Sequence, residues 1–546
     1  MQWLAPRLVD VAGTAGVLLL APFAYFFAGL PWAVATRRIS WAPLWGVGVL
    51  GLTAEYAGIL GFSVPAAVTA VAALHWIAGA VLAGRSPSFG GRLRTEGVAF
   101  AAAYAIALCP LVAAPFATPG LWGGDWAVAL RSGTSLLQGT RFTPDLLARP
   151  PLFGAASTLA LLAAPPMQGF QVFCAVASAC ALQVFRSGLN PRADPKLLWI
   201  LAGSVFFLQI TANAWPKFLC AAFLLASWQA LGAKNGRRLL TAGVLLGLAL
   251  ATHQSAALFV PLLLTRVSPP GERWRPGEAL LVLAAAAFIA GAWEVHTVLS
   301  YGLQAKIHAN PSVSARLEDV PAWLNALLVG FTTFVAWGPL FVVRHWYESG
   351  DRFSVFRLEH EVYWFSTSFF NSSAGSLMGL ALPWWLALGT KDFLRRLRGL
   401  WKRMDGKVRL GLVLALAGQM ILNPYYSGDG SLQTGWVPVG LALALWFAKE
   451  MGEADPEVLK RVLRCILWIG ALPWFAFNGG LTALLVLASR FRGSFYDSDL
   501  ELLDKNRWLS LGMDGFPFLQ AALVVFLFLA LREQARPSPE STAGQN

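Results

Sequence analysis

The sequence predicts an all-α polytopic membrane protein, a bundle of roughly 12–16 transmembrane helices. Three observations carry that expectation. Apolar residues make up 56% of the 546-residue chain and charged residues only 13%, against about 25% charged in soluble domains. The apolar residues fall in runs close to the roughly 20 residues that a bilayer core demands. Lys and Arg gather in short clusters between those runs, as they do in cytoplasmic loops. The same composition argues against a water-soluble enzyme and against a disordered chain. A net charge of +13 points to nucleic acid only where basic residues share one exposed face. Here they are dispersed, so no nucleic-acid partner is expected.

Taken in order, spans are expected at 9–35, 42–60, 64–83, 97–116, 167–186, 197–213, 216–233, 239–253, 255–266, 277–297, 325–343, 373–391, 409–423, 433–448, 463–489 and 515–532. The first has only Arg7 before it and no cleavage-site pattern, so it reads as a retained span rather than a signal peptide. The two runs flanking His253 are short and read as two short helices meeting near one face. Basic clusters set the orientation. Arg37/Arg38, Arg85/Arg92/Arg94, Arg186/Arg192/Lys196, Lys234/Arg237/Arg238, Arg266/Arg273/Arg275, Lys391 to Arg409, and Lys449/Lys460/Arg461/Arg464 mark cytoplasmic turns. The N-terminus then lies outside, together with 117–166, 298–324, 424–432 and 490–514. Span 325–343 followed by span 373–391 breaks the alternation, so either the first is re-entrant or a crossing lies within 355–372.

These segments group into N-terminal helices (1–96), a module containing the first long outer loop (97–297), C-terminal helices and loops (298–532), and a tail (533–546). The tail is rich in Pro, Ser, Glu and Gly and reads as disordered. The five cysteines, Cys109, Cys174, Cys180, Cys220 and Cys465, lie in or beside apolar runs without metal-ligand spacing. No disulfide framework and no metal site are expected.

The outer loop 117–166 is the most informative stretch. A Gly-Gly-Asp turn at 123–125 precedes an amphipathic stretch from Trp126 to Gln138. Arg141, Asp145 and an Arg149-Pro150-Pro151 break follow. A second, more apolar stretch runs to Ala164, is too short to span, and reads as a helix along the membrane surface. Asp125 sits just beyond the outer end of a span, after two glycines that let backbone approach closely. That suits a general base facing a lipid-borne substrate; it equally suits an Asp capping the helix that follows.

Further features recur at the outer face. Asn213-Ala214-Trp215-Pro216-Lys217 lies between two spans. Gly247-Leu248-Ala249-Leu250-Ala251-Thr252-His253 ends a later helix. Asn423-Pro424-Tyr425-Tyr426 precedes another apolar run. With the loop order of Asp, helix, Arg-Pro-Pro-Leu, helix and span, this layout resembles the GT-C superfamily of integral membrane glycosyltransferases, which use polyprenyl-phosphate sugars. Protein O-mannosyltransferases and lipid A aminoarabinose transferases belong to it. The resemblance covers roughly residues 97–266 and, beyond them, only the general layout.

The resemblance implies a GT-C-like bundle in a bacterial inner membrane with its site facing the periplasm. It implies that Asp125 matches the catalytic loop aspartate and Arg149 a basic position near the donor phosphate. Where several relatives carry a second acid, this chain has Trp126. Three apparent spans precede the helix leading into the loop, where relatives usually have one before the loop. Both departures point to a divergent branch.

Chemistry gives the other residues their expected roles. A polyprenyl-phosphate sugar already carries its leaving group, so the protein must deprotonate an acceptor hydroxyl and stabilise phosphate charge. Cations suffice for a monophosphate, so neither metal nor cofactor is expected. A base on one face of the sugar leads to inversion. Lys217, His253 and Asn213 are candidates for holding phosphate or acceptor. Lys217 also fits a lysine snorkelling to headgroups, and His253 a histidine that is merely hydrogen-bonded. Trp126 and Trp215 are candidates for stacking on sugar. The expected partners are a polyprenyl-phosphate sugar donor, a glycan, lipid or protein acceptor, and membrane lipids.

Two other functions compete. A transporter or flippase of lipid-linked cargo would use intramembrane ionisable residues such as Glu55 and His75. A membrane polysaccharide polymerase or ligase would use an outer loop carrying Arg344, His345, Arg352, Arg357 and His360. Glu294/His296, Glu359-His360-Glu361 and Asp497/Asp499 lack the spacing or setting of a metal site.

Overall fold

The computed structural model describes residues 8–84, 87–113, 125–140, 144–147, 149–189, 193–212, 215–233, 236–268, 272–309, 321–334, 377–422, 436–452, 456–476, 525 and 528–534. All regular structure among them is helical, and none is strand. Four helices are long and apolar enough to cross a membrane: Gly13–Ala35, Val64–Ala83, Gln168–Gly188 and Pro276–Tyr301. The chain is thus a helical membrane protein in its coarse character.

The elements that build the site come in chain order. They are α1 (Leu8–Ala35), α2 (Ala42–Ile59), α3 (Val64–Ala83), α4 (Pro87–Ala113), α5 (Asp125–Gln138), α6 (Pro144–Leu147), α7 (Leu152–Ala163), α8 (Pro166–Gly188), α9 (Lys196–Ala202), α10 (Val205–Ala212), α11 (Lys217–Leu231), α12 (Arg238–Thr252), α13 (Val260–Leu264) and α14 (Pro276–Tyr301). Burial separates centre from periphery. In α8, 94% of the apolar window is buried, against 17% in α3 and 22% in α14. α8 is therefore the axis of the bundle. α3 and α14 keep Leu74, Ile77, Phe288 and Leu299 exposed, as an outer helix bathed in lipid does.

Sequence explains the close contacts. Gly243 and Gly247 form a Gly-x-x-x-Gly face on α12. A Cβ on Gly243 would stand 2.7 Å from Val282 O, and one on Gly247 2.8 Å from Ala286 O. Backbone packs on backbone there, the usual device where lipid offers no hydrophobic drive for association. Long polar contacts tie the N-terminal helices to the core: Tyr25 Oη donates to Ala156 O at 2.7 Å, and Tyr104 Oη to Leu18 O at 3.1 Å. α1 ends in a Schellman turn, with Arg38 N–H bonding Ala33 O at 2.8 Å and Arg37 N–H bonding Val34 O at 3.0 Å. Its left-handed position, normally glycine, is held by Arg37 at φ 58°.

Several expectations are corrected. The apolar stretch ending at Ala164 is packed inside the bundle. It forms α7, whose Leu152, Phe153, Ala155 and Ala156 are buried among α2, α5 and α8, because it is small and apolar on every side. The span expected at 197–213 is two helices, α9 and α10. Ser204 breaks the run, its Oγ accepting from Phe207 N–H at 3.2 Å as an N-cap. α4 begins at Pro87 and carries Arg92 and Arg94 inside its first turns rather than in a preceding loop. Most of Lys391 to Arg409 is likewise helical, as Thr390–Arg403, entered through Gly389 at φ 75°.

The turns marked by basic clusters converge at one end of the bundle. Arg238, from the start of α12, pairs with Glu278 near the start of α14 at 2.6 Å. Arg275 pairs with the same Glu278 at 2.8 Å, and Lys407 Nζ reaches Glu272 O. Residues 335–376, which hold the polymerase-type Arg and His candidates, lie outside the described residues, as do Asp497, Asp499 and tail residues 535–546.

Candidate functional site

At the end of the bundle away from the basic turns, a cleft is lined from four sequence-distant segments. Val128, Ala129 and Ser132 come from α5, and Arg149, Pro150 and Gly154 from the chain entering α7. Pro216 precedes α11, and Thr252 and His253 end α12. The cavity is about 20 Å³, room for one water molecule.

α5 is positioned by a crossing of two glycines. A Cβ on Gly154 would stand 2.4 Å from Ala129 O, and one on Gly133 2.7 Å from Gly154 O. Only glycine at both positions lets α5 lie directly on α7. Asp125 is the first residue of α5. It precedes Val128/Ala129 and Ser132 by one and two helical turns, so its backbone sits on the same helical face as those cleft residues. The side chains of Asp125 and Trp126, and the whole of Asn213, lie outside the described residues.

His253 is buried and sits in extended backbone between the end of α12 and a 3₁₀ turn, Gln254–Phe259. Its Nδ1 accepts from Ser255 N–H at 3.1 Å and lies 2.8 Å from Ser255 Oγ. Accepting a backbone N–H places the ring proton on Nε2, which makes that nitrogen a donor. The local sequence explains the fixation: Thr-His-Gln-Ser supplies a serine two residues on to close the turn.

Lys217 opens α11 and is 4% exposed, far from the snorkelling geometry expected of a lysine that reaches headgroups. Its Nζ stands 4.4 Å over the Trp215 ring, with Pro216 between the two residues on the cleft wall. One face of Trp215 thereby cushions the lysine. Arg149 is half-buried at the cleft.

The structure thus brings Arg149 and His253 to one cleft, with Pro216, the residue before Lys217, on its wall. Ser132 was missed in the sequence. The amphipathic spacing of α5 from Asp125 was the signal that could have found it. Among the described residues, no group of three His, Cys, Asp or Glu side chains is arranged to hold a metal ion.

The residues expected of the transporter alternative divide. His75 is fully used: Trp32 Nε1 donates to its Nε2 at 3.1 Å, and its Nδ1 faces Val71 O at 2.9 Å. Glu55 in α2 is completely buried, and among the described residues neither carboxyl oxygen has a hydrogen-bond partner. No family model, curated protein or solved structure matches this chain.

Proposed function

We propose that the chain is a membrane glycosyltransferase that moves a sugar from a polyprenyl phosphate to an acceptor on the non-cytoplasmic side of a bacterial inner membrane. The observation that carries this reading is the convergence at one cleft of Arg149, His253 and the helical face of α5 that begins with Asp125. Acid, cation and N–H donor are the parts that the reaction needs, and they come from distant segments.

In this reading Asp125 takes the proton of the acceptor hydroxyl as its oxygen attacks the anomeric carbon. The bond from that carbon to the phosphate oxygen breaks, and the polyprenyl phosphate leaves with the electron pair. Arg149 and the Nε2–H of His253 meet the charge that grows on the phosphate. Lys217, with no room to swing, adds a fixed positive charge nearby. A cavity for one water does not admit a sugar, so the donor engages these groups at the mouth of the cleft.

The test is Asp125→Asn in the purified protein, with release of polyprenyl phosphate measured in the presence of an acceptor. Turnover abolished with the fold intact supports the base. Unchanged turnover removes Asp125 from the chemistry.

Glu55 favours a second reading, a transporter of lipid-linked cargo, because an unpartnered buried carboxyl is a cost that folds retain for function. Flux of a fluorescent lipid-linked sugar across proteoliposomes, lost in Glu55→Gln and kept in Asp125→Asn, selects that reading instead.

A further inference from the structure

A second cleft lies at the opposite end of α11, where the basic turns meet. Its cavity is about 210 Å³, below the roughly 300 Å³ at which drug-sized pockets begin but ample for one phosphate group. Three cations line it: Arg38 from the turn after α1, Arg266 from the turn after α13, and Lys449 from the last turn of the helix Val437–Gly452. Among the described residues, no acidic side chain lines it.

The cations are held without being neutralised. The Arg266 guanidinium stacks over the Trp228 ring at 5.1 Å, and the Arg38 guanidinium over Trp41 at 5.4 Å. Trp228 is itself braced edge-on by Trp446, with ring centres 5.8 Å apart. Stacking fixes a guanidinium plane while leaving its in-plane N–H donors free for a ligand.

Among the described residues, three acids near this end are committed elsewhere. Glu450, next to Lys449, pairs with Arg403; Glu96 pairs with Arg186; Glu278 pairs with Arg238 and Arg275. Among the described residues, no ion pair and no side-chain hydrogen bond forms from Arg38, Arg266 or Lys449. Partial desolvation, and after it the charge of Arg266, lower the pKa of Lys449, as expected of like charges sharing a cleft without a counter-ion. Helix C-termini gathered here ease the repulsion but take no hydrogen bond from these cations.

The polar wall is pre-set as well. Trp41 Nε1 donates to Ser187 Oγ at 3.1 Å, and Gln229 Nε2 donates to Val184 O at 3.0 Å. Three cations against a carboxylate would leave two charges uncompensated. A phosphate monoester carries about two negative charges at neutral pH, and guanidinium forks match its oxygens.

We infer that this cleft is a binding site for a phosphate group, separate from the candidate catalytic cleft and about 22 Å from it along α11. The group arrives either on a soluble phosphoryl compound or on a lipid whose headgroup is a phosphomonoester.

The test uses the full-length protein in non-ionic detergent. Inorganic phosphate is titrated by calorimetry, and phosphatidic acid binding is counted by native mass spectrometry. Arg38→Gln, Arg266→Gln and Lys449→Gln are compared with Arg273→Gln, an exposed cation in the turn between α13 and α14 and outside the cleft. One saturable ligand per chain is expected, at least tenfold weaker in each cleft variant and within twofold of wild type in Arg273→Gln. Phosphate binding lost in the cleft variants identifies a soluble ligand; lipid retention alone identifies a headgroup. Absence of saturable binding in both arms, or equal loss in Arg273→Gln, overturns the site. Lys449→Gln removes an exposed side chain and keeps the test valid if an arginine variant fails to fold.

Discussion

Replacing Gly154 by Ala tests the placement of α5 directly. The new Cβ would stand 2.4 Å from Ala129 O, 2.9 Å from Ser132 Cβ and 3.0 Å from Gly133 N. Ordinary carbon contacts begin near 3.5 Å, so α5 must recede from α7 by about 1 Å. Backbone atoms form two of the three contacts, so no side-chain rotation relieves them. Overpacking of this kind costs about 1–3 kcal/mol, while alanine's better helix propensity returns about 0.5–1 kcal/mol. A net loss of up to about 2.5 kcal/mol follows, and relative to an unhindered glycine-to-alanine change the full overpacking cost of about 1–3 kcal/mol remains.

Gly97→Ala in α4 is the control. It sits mid-helix with nothing within 4 Å of its added Cβ, so only the propensity gain of about 0.5–1 kcal/mol applies. Reversible unfolding in mixed micelles reads both. Under the proposed function, a 1 Å shift of α5 should also misplace Asp125 and lower turnover about 100-fold. If Gly154→Ala is as stable as Gly97→Ala, α5 does not lie on α7 as described, and the cleft geometry built on that crossing fails with it.

Other outcomes follow from single residues. Arg37→Gly should stabilise the protein by about 1 kcal/mol, because glycine carries no penalty at the left-handed position of the α1 turn; unchanged unfolding would mean the turn is not strained. Ser204→Ala should cost about 1 kcal/mol by removing the cap of α10, read by the same unfolding assay, with Ser204→Asp largely restoring it. His253→Gln should keep the stability of wild type more closely than His253→Leu, since the amide can take over the Ser255 N–H bond and leave no buried donor unpaired. If the two variants unfold alike, the Ser255 contact does not fix that ring.

Helices were legible because apolar runs and basic clusters are composition-level signals, and the basic turns do gather at one end. What escaped were breaks and depths. α9 and α10 read as one span because Gly203-Ser204 is two small residues in an apolar run, and only the Ser204 cap reveals the stop. The packing of α7 inside the bundle was not legible, because length was the only guide. Its burial depends on Gly133 and Gly154 meeting, a pairing that no local pattern announces. His253 and Arg149 were legible as polar residues stranded at helix ends. Ser132 was not, because a serine on an amphipathic helix is ordinary until another segment closes over it. Lys217 was read for its position at a helix start, but its burial over Trp215 depends on the chain around it.

The spacing of the two clefts carries a consequence for both proposals. α11 has 15 residues, about 22 Å of helix, and each cleft lies at one of its ends. A bilayer core is about 30 Å thick. Were α11 to cross the bilayer, tilt would shorten its projection further and at least one cleft would be recessed below the headgroup plane. A recessed Arg149 and His253 would meet the phosphate of a donor whose polyprenyl chain stays in the bilayer, without lifting that chain into water. A recessed Arg38, Arg266 and Lys449 would favour a lipid phosphate over a soluble one. The lipid and phosphate arms of the binding experiment therefore also report depth. Retention of phosphatidic acid without affinity for inorganic phosphate places the basic cleft among the headgroups, and affinity for inorganic phosphate opens it to water.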